Sequence, residues 1–130
     1  LMSNNNNKAP SKIKLHKQSQ QLELTFDGEQ FLLPAELLRV YSPSAEVKGH
    51  GPGQEVLQFG KKDVAITGIE RAGNYALKLI FSDGHDSGIF TWSYLCDLGE
   101  NQEQLWSEYL QKLHEAGKSR EKDTSVVKFV

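Results

Sequence analysis

Apolar and polar residues alternate at the start of the chain. Ile13-Lys14-Leu15 and Leu22-Glu23-Leu24-Thr25-Phe26 put a hydrophobic side chain at every second position, the period of a half-buried strand. The polar run Lys17-Gln18-Ser19-Gln20 between them suits a hairpin loop. Asp27-Gly28 then turns the chain into Phe31-Leu32-Leu33, so three short antiparallel strands form a meander. Pro34 is comfortable in a first helical turn, where its missing donor is not needed. Ala35 to Tyr41 continue as a short helix with Leu37, Leu38 and Tyr41 at helical spacing, and Ser42-Pro43-Ser44 ends it.

Residues 46 to 62 carry Gly49, Gly51, Pro52, Gly53 and Gly60 and read as a flexible connector. Gly49-His50-Gly51-Pro52-Gly53 lacks the lysine-hydroxyl ending of a phosphate-binding loop, and Pro52 removes an amide donor that such a cradle would use. Val64 to Ile69 and Tyr75 to Phe81 are the strongest strand signals, joined by a hairpin turn at Ala72-Gly73-Asn74. Tyr75, Leu77, Leu79 and Phe81 share one face, and the only partly polar opposite face leaves room for a covering helix.

After a loop over residues 83 to 91, Trp92, Leu95 and Cys96 recur at helical spacing, with Gly99 placed to end that helix. Asn101 then reads as an N-cap with Gln104 as its reciprocal partner. Leu105, Trp106, Tyr109, Leu110 and Leu113 form an apolar stripe of period near 3.6, closed by Gly117. The pattern predicts an α+β domain. Its small, mostly antiparallel β-sheet is built of hairpins and a meander, with a short helix after the third strand and a C-terminal amphipathic helix packed on the sheet.

The ends read differently. Residues 1–11, with Asn4-Asn5-Asn6-Asn7 and Pro10, carry almost nothing to bury and predict a disordered tail. The folded domain spans 12–117, and 118–130 read as a flexible C-terminal tail. Its Val126-Val127-Lys128-Phe129-Val130 patch suits edge-strand pairing within the chain or with another, with disorder as the alternative. Met2 reads as the natural start, preceded by an added Leu1.

Composition narrows the classes. A chain of 130 residues fits one domain with a single modest core. A net charge of -2, without a basic stripe, argues against nucleic acid as the partner. No apolar run approaches the ~18 residues that cross a bilayer, and the N-terminus lacks the apolar core of a signal peptide. The single Cys96 leaves no intramolecular disulfide and fits a reducing compartment, so a cytoplasmic location is the expectation.

Chemically able residues concentrate between Phe81 and Leu95. Of the four histidines, His85 is the one set among several potential polar partners for a site, namely Asp83, Asp86, Ser87 and Ser93. Two readings stand side by side. In one, Asp83-Gly84 makes the turn and His85 or Asp86 bonds the backbone. In the other, His85 is a metal ligand, with Asp83 and Asp86 as oxygen donors, or a partner-binding residue. Paired cysteines for structural zinc are absent. A Ser87-His85-Asp83 hydrolase set is formally available, but sequence neighbours rarely form such a triad and no nucleophile-elbow motif is present. Cys96 falls on an apolar helical face, as an inert thiol would. Trp92, Tyr94, Trp106 and Tyr109 read chiefly as core anchors.

The segments Ser42-Pro43-Ser44-Ala45-Glu46-Val47, Gly49-His50-Gly51, Tyr75-Ala76-Leu77, Phe81-Ser82-Asp83-Gly84-His85-Asp86-Ser87-Gly88-Ile89-Phe90-Thr91-Trp92 and Tyr94-Leu95 occur in that order. Together they resemble the DUF971 family, the γ-butyrobetaine-hydroxylase-like N-terminal domain, over residues 12 to 117. The resemblance implies a stand-alone bacterial member. Similar domains precede the catalytic oxygenase domain of γ-butyrobetaine and trimethyllysine dioxygenases, and one follows the ATPase of plastid iron-sulfur cluster carriers. In none does this domain hold the catalytic residues.

The animal dioxygenase version carries a Cys3His zinc site in Cys-Pro-Cys-x-x-Cys and Asp-Gly-His. Those positions correspond here to Ser42, Ser44, Val47 and His85, so the resemblance implies an empty zinc site. It also implies that the segment after the first helix lies against the Asp-Gly-His loop. The expectation is a non-enzymatic accessory or adaptor domain linked to iron-sulfur cluster assembly or an iron-dependent enzyme. Ser42, Ser44, Glu46, His85, Asp86, Ser87 and Trp92 would form its protein-partner surface, with no nucleic acid or membrane. No cofactor is firmly expected. The alternative is weak iron or zinc binding through His85, Asp83 and Asp86.

Overall fold

The computed structural model describes residues 8–122. The expected N-terminal disorder at 1–7 and the Val126–Val130 patch lie outside the described residues. Alternation builds the first sheet as the sequence predicts. β1 (Lys12–His16), β2 (Gln21–Phe26) and β3 (Glu29–Pro34) pair antiparallel in the order β1-β2-β3. Leu22 faces Leu33 and Leu24 faces Phe31 across β2 and β3, which sets one apolar face toward the core. Pro34 hands the chain into α1 (Ala35–Val40), every residue of which is buried.

The second sheet is separate from the first, where the sequence pattern implied a single one. β4 (Ile66–Ala72), β5 (Ala76–Phe81) and β6 (Ile89–Thr91) are antiparallel in the order β4-β5-β6. β4 starts two residues later than its hydrophobic run, because Val64 and Ala65 still belong to the approach: Val64 N–H donates to Lys61 O, and Ala65 N–H to Ser82 Oγ. Tyr75 does not share the face of Leu77 and Leu79. It lies in the turn before β5 and is exposed. Gln20 Oε1 accepts from Ile66 N–H at 2.8 Å, so the first hairpin is tied to the start of β4.

α3 (Trp92–Glu100) and α4 (Gln102–Ala116) complete the domain. Two helix signals resolve differently from expectation. Gly99 lies inside α3 rather than ending it, and a Cβ there would meet the Phe31 ring at 2.5 Å. The glycine therefore lets α3 lie close on β3 instead of stopping the helix. The Asn101–Gln104 capping box is not made. α3 and α4 abut at Asn101, whose Nδ2 donates to Asp97 O while Gln104 bonds Glu108. Gly117 does close α4 in the left-handed conformation, with φ 67°, as expected.

One continuous core links both sheets, α1 and α3, through Leu22, Leu33, Leu38, Leu79, Phe90 and Leu95 among others. Val40, Tyr109 and Leu113 form a satellite under α4. The domain also extends past residue 117. Gly60 N–H donates to Ser119 O, Lys62 N–H donates to Arg120 O, and Arg120 forks onto both carboxylate oxygens of Glu36 at 2.9 and 2.7 Å. Residues 118–122, which the sequence places in a tail, are pinned by those bonds.

Candidate functional site

Two local structures meet at the centre of the expected site. The first follows α1. Ser44 caps α2 (Ala45–Lys48), a four-residue helix that the glycine-rich sequence hides; its Oγ accepts from Glu46 N–H at 3.1 Å. Val47 is buried and anchors that turn. The second follows β5. Gly84 adopts φ 93°, which suits glycine. Gly84 N–H donates to Phe81 O, and Phe81 N–H donates to His85 O, so the loop folds back on the strand end. Asp83 Oδ1 accepts from His85 N–H at 3.2 Å and fixes the turn.

The His85 ring joins the two. It is only 5% exposed. Its Nδ1 lies 2.9 Å from Glu46 Oε1, and its Nε2 lies 2.9 Å from Ser42 Oγ. Ser42 Oγ also accepts from Ser44 N–H at 3.3 Å. A neutral imidazole with its proton on Nδ1, a tautomer assigned from these partners, satisfies the whole chain. Ser44 N–H donates to Ser42, the Ser42 hydroxyl donates to Nε2, and Nδ1–H donates to the Glu46 carboxylate. A second bridge runs beside it, with Ser44 Oγ and Ser87 Oγ 2.7 Å apart. Gly88 packs against Ser42 so closely that a Cβ would collide with its Oγ.

Asp83 is occupied elsewhere. Its Oδ2 accepts from Arg39 Nε at 2.9 Å and from Lys61 Nζ at 2.6 Å. Burial alone would raise this carboxyl, but the bonds from Lys61, the His85 amide and Arg39 outweigh it and hold the pKa at about 2. Arg39 and Lys61 are the site residues that sequence reading missed. They lie 44 and 22 positions from Asp83. The one available signal was an arginine in a short helix whose only other charged residue is Glu36.

The residues expected at a partner surface divide in two. Glu46, Asp86 and Ser87 are exposed. Ser42, Ser44 and His85 are buried, and so is Trp92 at 1% exposure, with its indole N–H donated to Asn74 O. Trp92 is therefore a core residue and offers no face to a partner. Beside the junction a groove of about 970 Å³ opens between the α2 region and α4, lined among others by Ser42, Val47, Tyr94, Tyr109 and Lys112.

Ser42, His85 and Glu46 stand in the hydrogen-bonding order of a hydrolase relay. Ser42 is fully buried, however, and its hydroxyl is already engaged by His85 and the Ser44 amide. The Cys3His zinc set does not fit these residues either: two hydroxyls and a valine replace the thiolates, and both imidazole nitrogens already have partners. Among the described residues no three His, Cys, Asp or Glu side chains converge as a metal site. The His85 ring is bonded to Glu46 and Ser42, and the Asp83 carboxylate to Arg39 and Lys61. Cys96 is buried, and burial pushes its thiol pKa up, away from the thiolate. What this geometry does is join two segments.

Residues 13–96 match the family described as gamma-butyrobetaine hydroxylase-like, N-terminal. The chain belongs to this family. Two structures solved by NMR in solution are similar to it over nearly their whole length. One is 55% identical with a TM-score of 0.81, covering 96% of this chain and 99% of that one. The other is 47% identical with a TM-score of 0.78, covering 100% and 99%. A crystal structure of a DUF971 protein of unknown function from Acidithiobacillus ferrooxidans is 36% identical with a TM-score of 0.58, covering 69% and 91%. No curated protein matches the chain.

Proposed function

We propose that this domain is a non-enzymatic accessory or adaptor module. It presents the surface around the His85 junction to a protein partner in iron-sulfur cluster assembly or to an iron-dependent enzyme. One observation carries the adaptor reading: His85 is held at both ring nitrogens by the segment after α1. That bonding fixes two loops as one rigid ledge with Glu46, Asp86 and Ser87 exposed along it. A rigid, polar ledge lowers the ordering cost of docking. The iron link rests on the company kept by the domains it resembles, which is an argument from association. This reading places the protein in the cytoplasm; among the described residues, no helix is long and apolar enough to cross a membrane.

The test is affinity capture with the full chain, beside a Glu46→Lys, Asp86→Lys variant whose fold is checked by NMR. Wild type should retain an iron-sulfur assembly factor or an iron enzyme, and the folded variant should lose it. The proposal fails if neither class is captured and a deletion strain keeps normal activity of its cluster-containing enzymes.

A further inference from the structure

The four positions that the family resemblance assigns to zinc carry two hydroxyls, an isopropyl group and an imidazole in this chain. Three of them are nonetheless buried together with the fourth: Ser42 at 0%, Ser44 at 6%, Val47 at 7% and His85 at 5% exposure. A vacated metal site in that setting would leave buried polar atoms without partners, which costs stability. Here the polar atoms are paired.

We infer that the junction is a metal-independent cross-link, in which side-chain hydrogen bonds do the joining that zinc–thiolate bonds would do in a Cys3His site. Ser42 and Glu46 grip the imidazole from opposite sides at 2.9 Å each, and Ser44–Ser87 adds a second bridge at 2.7 Å. Each hydroxyl is used more than once. Ser42 Oγ serves His85 and the Ser44 amide, while Ser44 Oγ serves Ser87 and the Glu46 amide. A cation at His85 Nε2 would have to displace the Ser42 hydroxyl from a position that Gly88 already crowds. Val47 supplies only methyl groups, which do not ligate. Glu46 acts as a positioning residue: its carboxylate on Nδ1 sets the tautomer that turns Nε2 toward Ser42. The domain should therefore hold its shape at any metal supply, whether or not the proposed partner is the right one.

Thermal unfolding of the purified full chain, with metal content measured in parallel, tests this. Wild type should carry no stoichiometric zinc, and its Tm should be the same with chelator and with equimolar zinc. Its His85 ring ¹⁵N resonances should keep the Nδ1–H pattern throughout the zinc titration. His85→Ala should lower Tm by roughly 10 °C, and Ser42→Ala by roughly 5 °C, on the scale usual for a domain of this size. Where His85→Ala does not fold, Ser42→Ala and Ser44→Ala still report, because each removes one hydroxyl only. About one zinc per chain with a chelator-sensitive Tm would overturn the inference. So would a Tm unmoved by both serine substitutions. Loss of partner capture with these results intact would strike the proposed function alone.

Discussion

Gly88 and Gly99 each close a gap in this domain, and they make room for opposite kinds of neighbour. Gly99 admits the Phe31 ring, so that α3 lies directly on β3. Gly88 admits the Ser42 hydroxyl, so that the Asp83–Gly88 loop lies on the segment after α1. The first closure is apolar, and disturbing it costs packing. The second is polar, and moving one atom breaks a chain of buried donors and acceptors. Apolar closures fail in proportion to the volume displaced, whereas polar ones fail by leaving a partner unmatched.

The largest effect should come at Gly99. Alanine there must push the Phe31 ring, whose Cδ1 and Cγ would lie 2.5 Å from the new Cβ. Phe31 is buried against Phe26 and has little freedom to move. The expected loss is ~3 kcal/mol in urea unfolding, even after the gain in helix propensity. Gly88→Ala should cost less, ~2 kcal/mol, because a hydroxyl can rotate where a ring cannot. Its signature is different: the Ser42–His85 bond breaks, so the His85 ring resonances shift while the core methyls stay in place. Combining Gly88→Ala with Ser42→Ala should cost less than the sum of the two, since the second change removes the atom that the first one hits. Strict additivity would mean that Gly88 does not act through Ser42.

The two closures also differed in legibility. The apolar side of the fold could be read from periodicity: the meander of β1 to β3 and the stripe of α4 rest on many residues each, so no single position decides them. Gly99 shows the limit. A glycine late in a helical run looks like a terminator, and only the position of Phe31, far away in sequence, turns it into a contact. β6 was hidden because three residues, Ile89–Thr91, carry too little periodicity to distinguish a strand from a loop. The polar junction was legible only in part. Composition pointed to His85, and family resemblance pointed to the segment around Ser42. Neither showed that the ring is gripped from both sides, nor that Asp83 answers to Arg39 and Lys61. Long-range pairing between short polar side chains leaves no periodic trace.

Asp83 and His85 lie two residues apart in one turn yet work by different physics, and pH separates them. The Asp83 carboxyl titrates at about 2 in the folded state against an ordinary 3.8. A depressed carboxyl stabilises the fold fully above its unfolded pKa, and that contribution fades as pH falls from about 4 through about 2. Its side chain is 26% exposed, so screening trims the effect. Asp83→Asn should cost ~1–2 kcal/mol at neutral pH, partly by leaving the buried Arg39 guanidinium without its counter-charge. Unfolding curves at pH 7 and near pH 2 should show the difference between wild type and variant closing. A constant gap would mean that the Arg39–Asp83–Lys61 cluster contributes through shape and not through charge.

The smallest effect separates charge from hydrogen bonding in the junction itself. Glu46 bonds the buried imidazole, but its own side chain is 69% exposed. Solvent therefore screens its charge, and a surface carboxylate facing a neutral ring gains little from being ionised. Glu46→Gln keeps an oxygen that accepts from Nδ1–H, so stability should stay within ~0.5 kcal/mol of wild type. Glu46→Ala removes the acceptor, and water can replace it from the open side, so the loss should be ~1 kcal/mol. If glutamine costs as much as alanine, the carboxylate charge is what orients His85, and the ring is held as a cation. If glutamine is silent, the junction is a neutral hydrogen-bonded chain running from the Ser44 amide to residue 46.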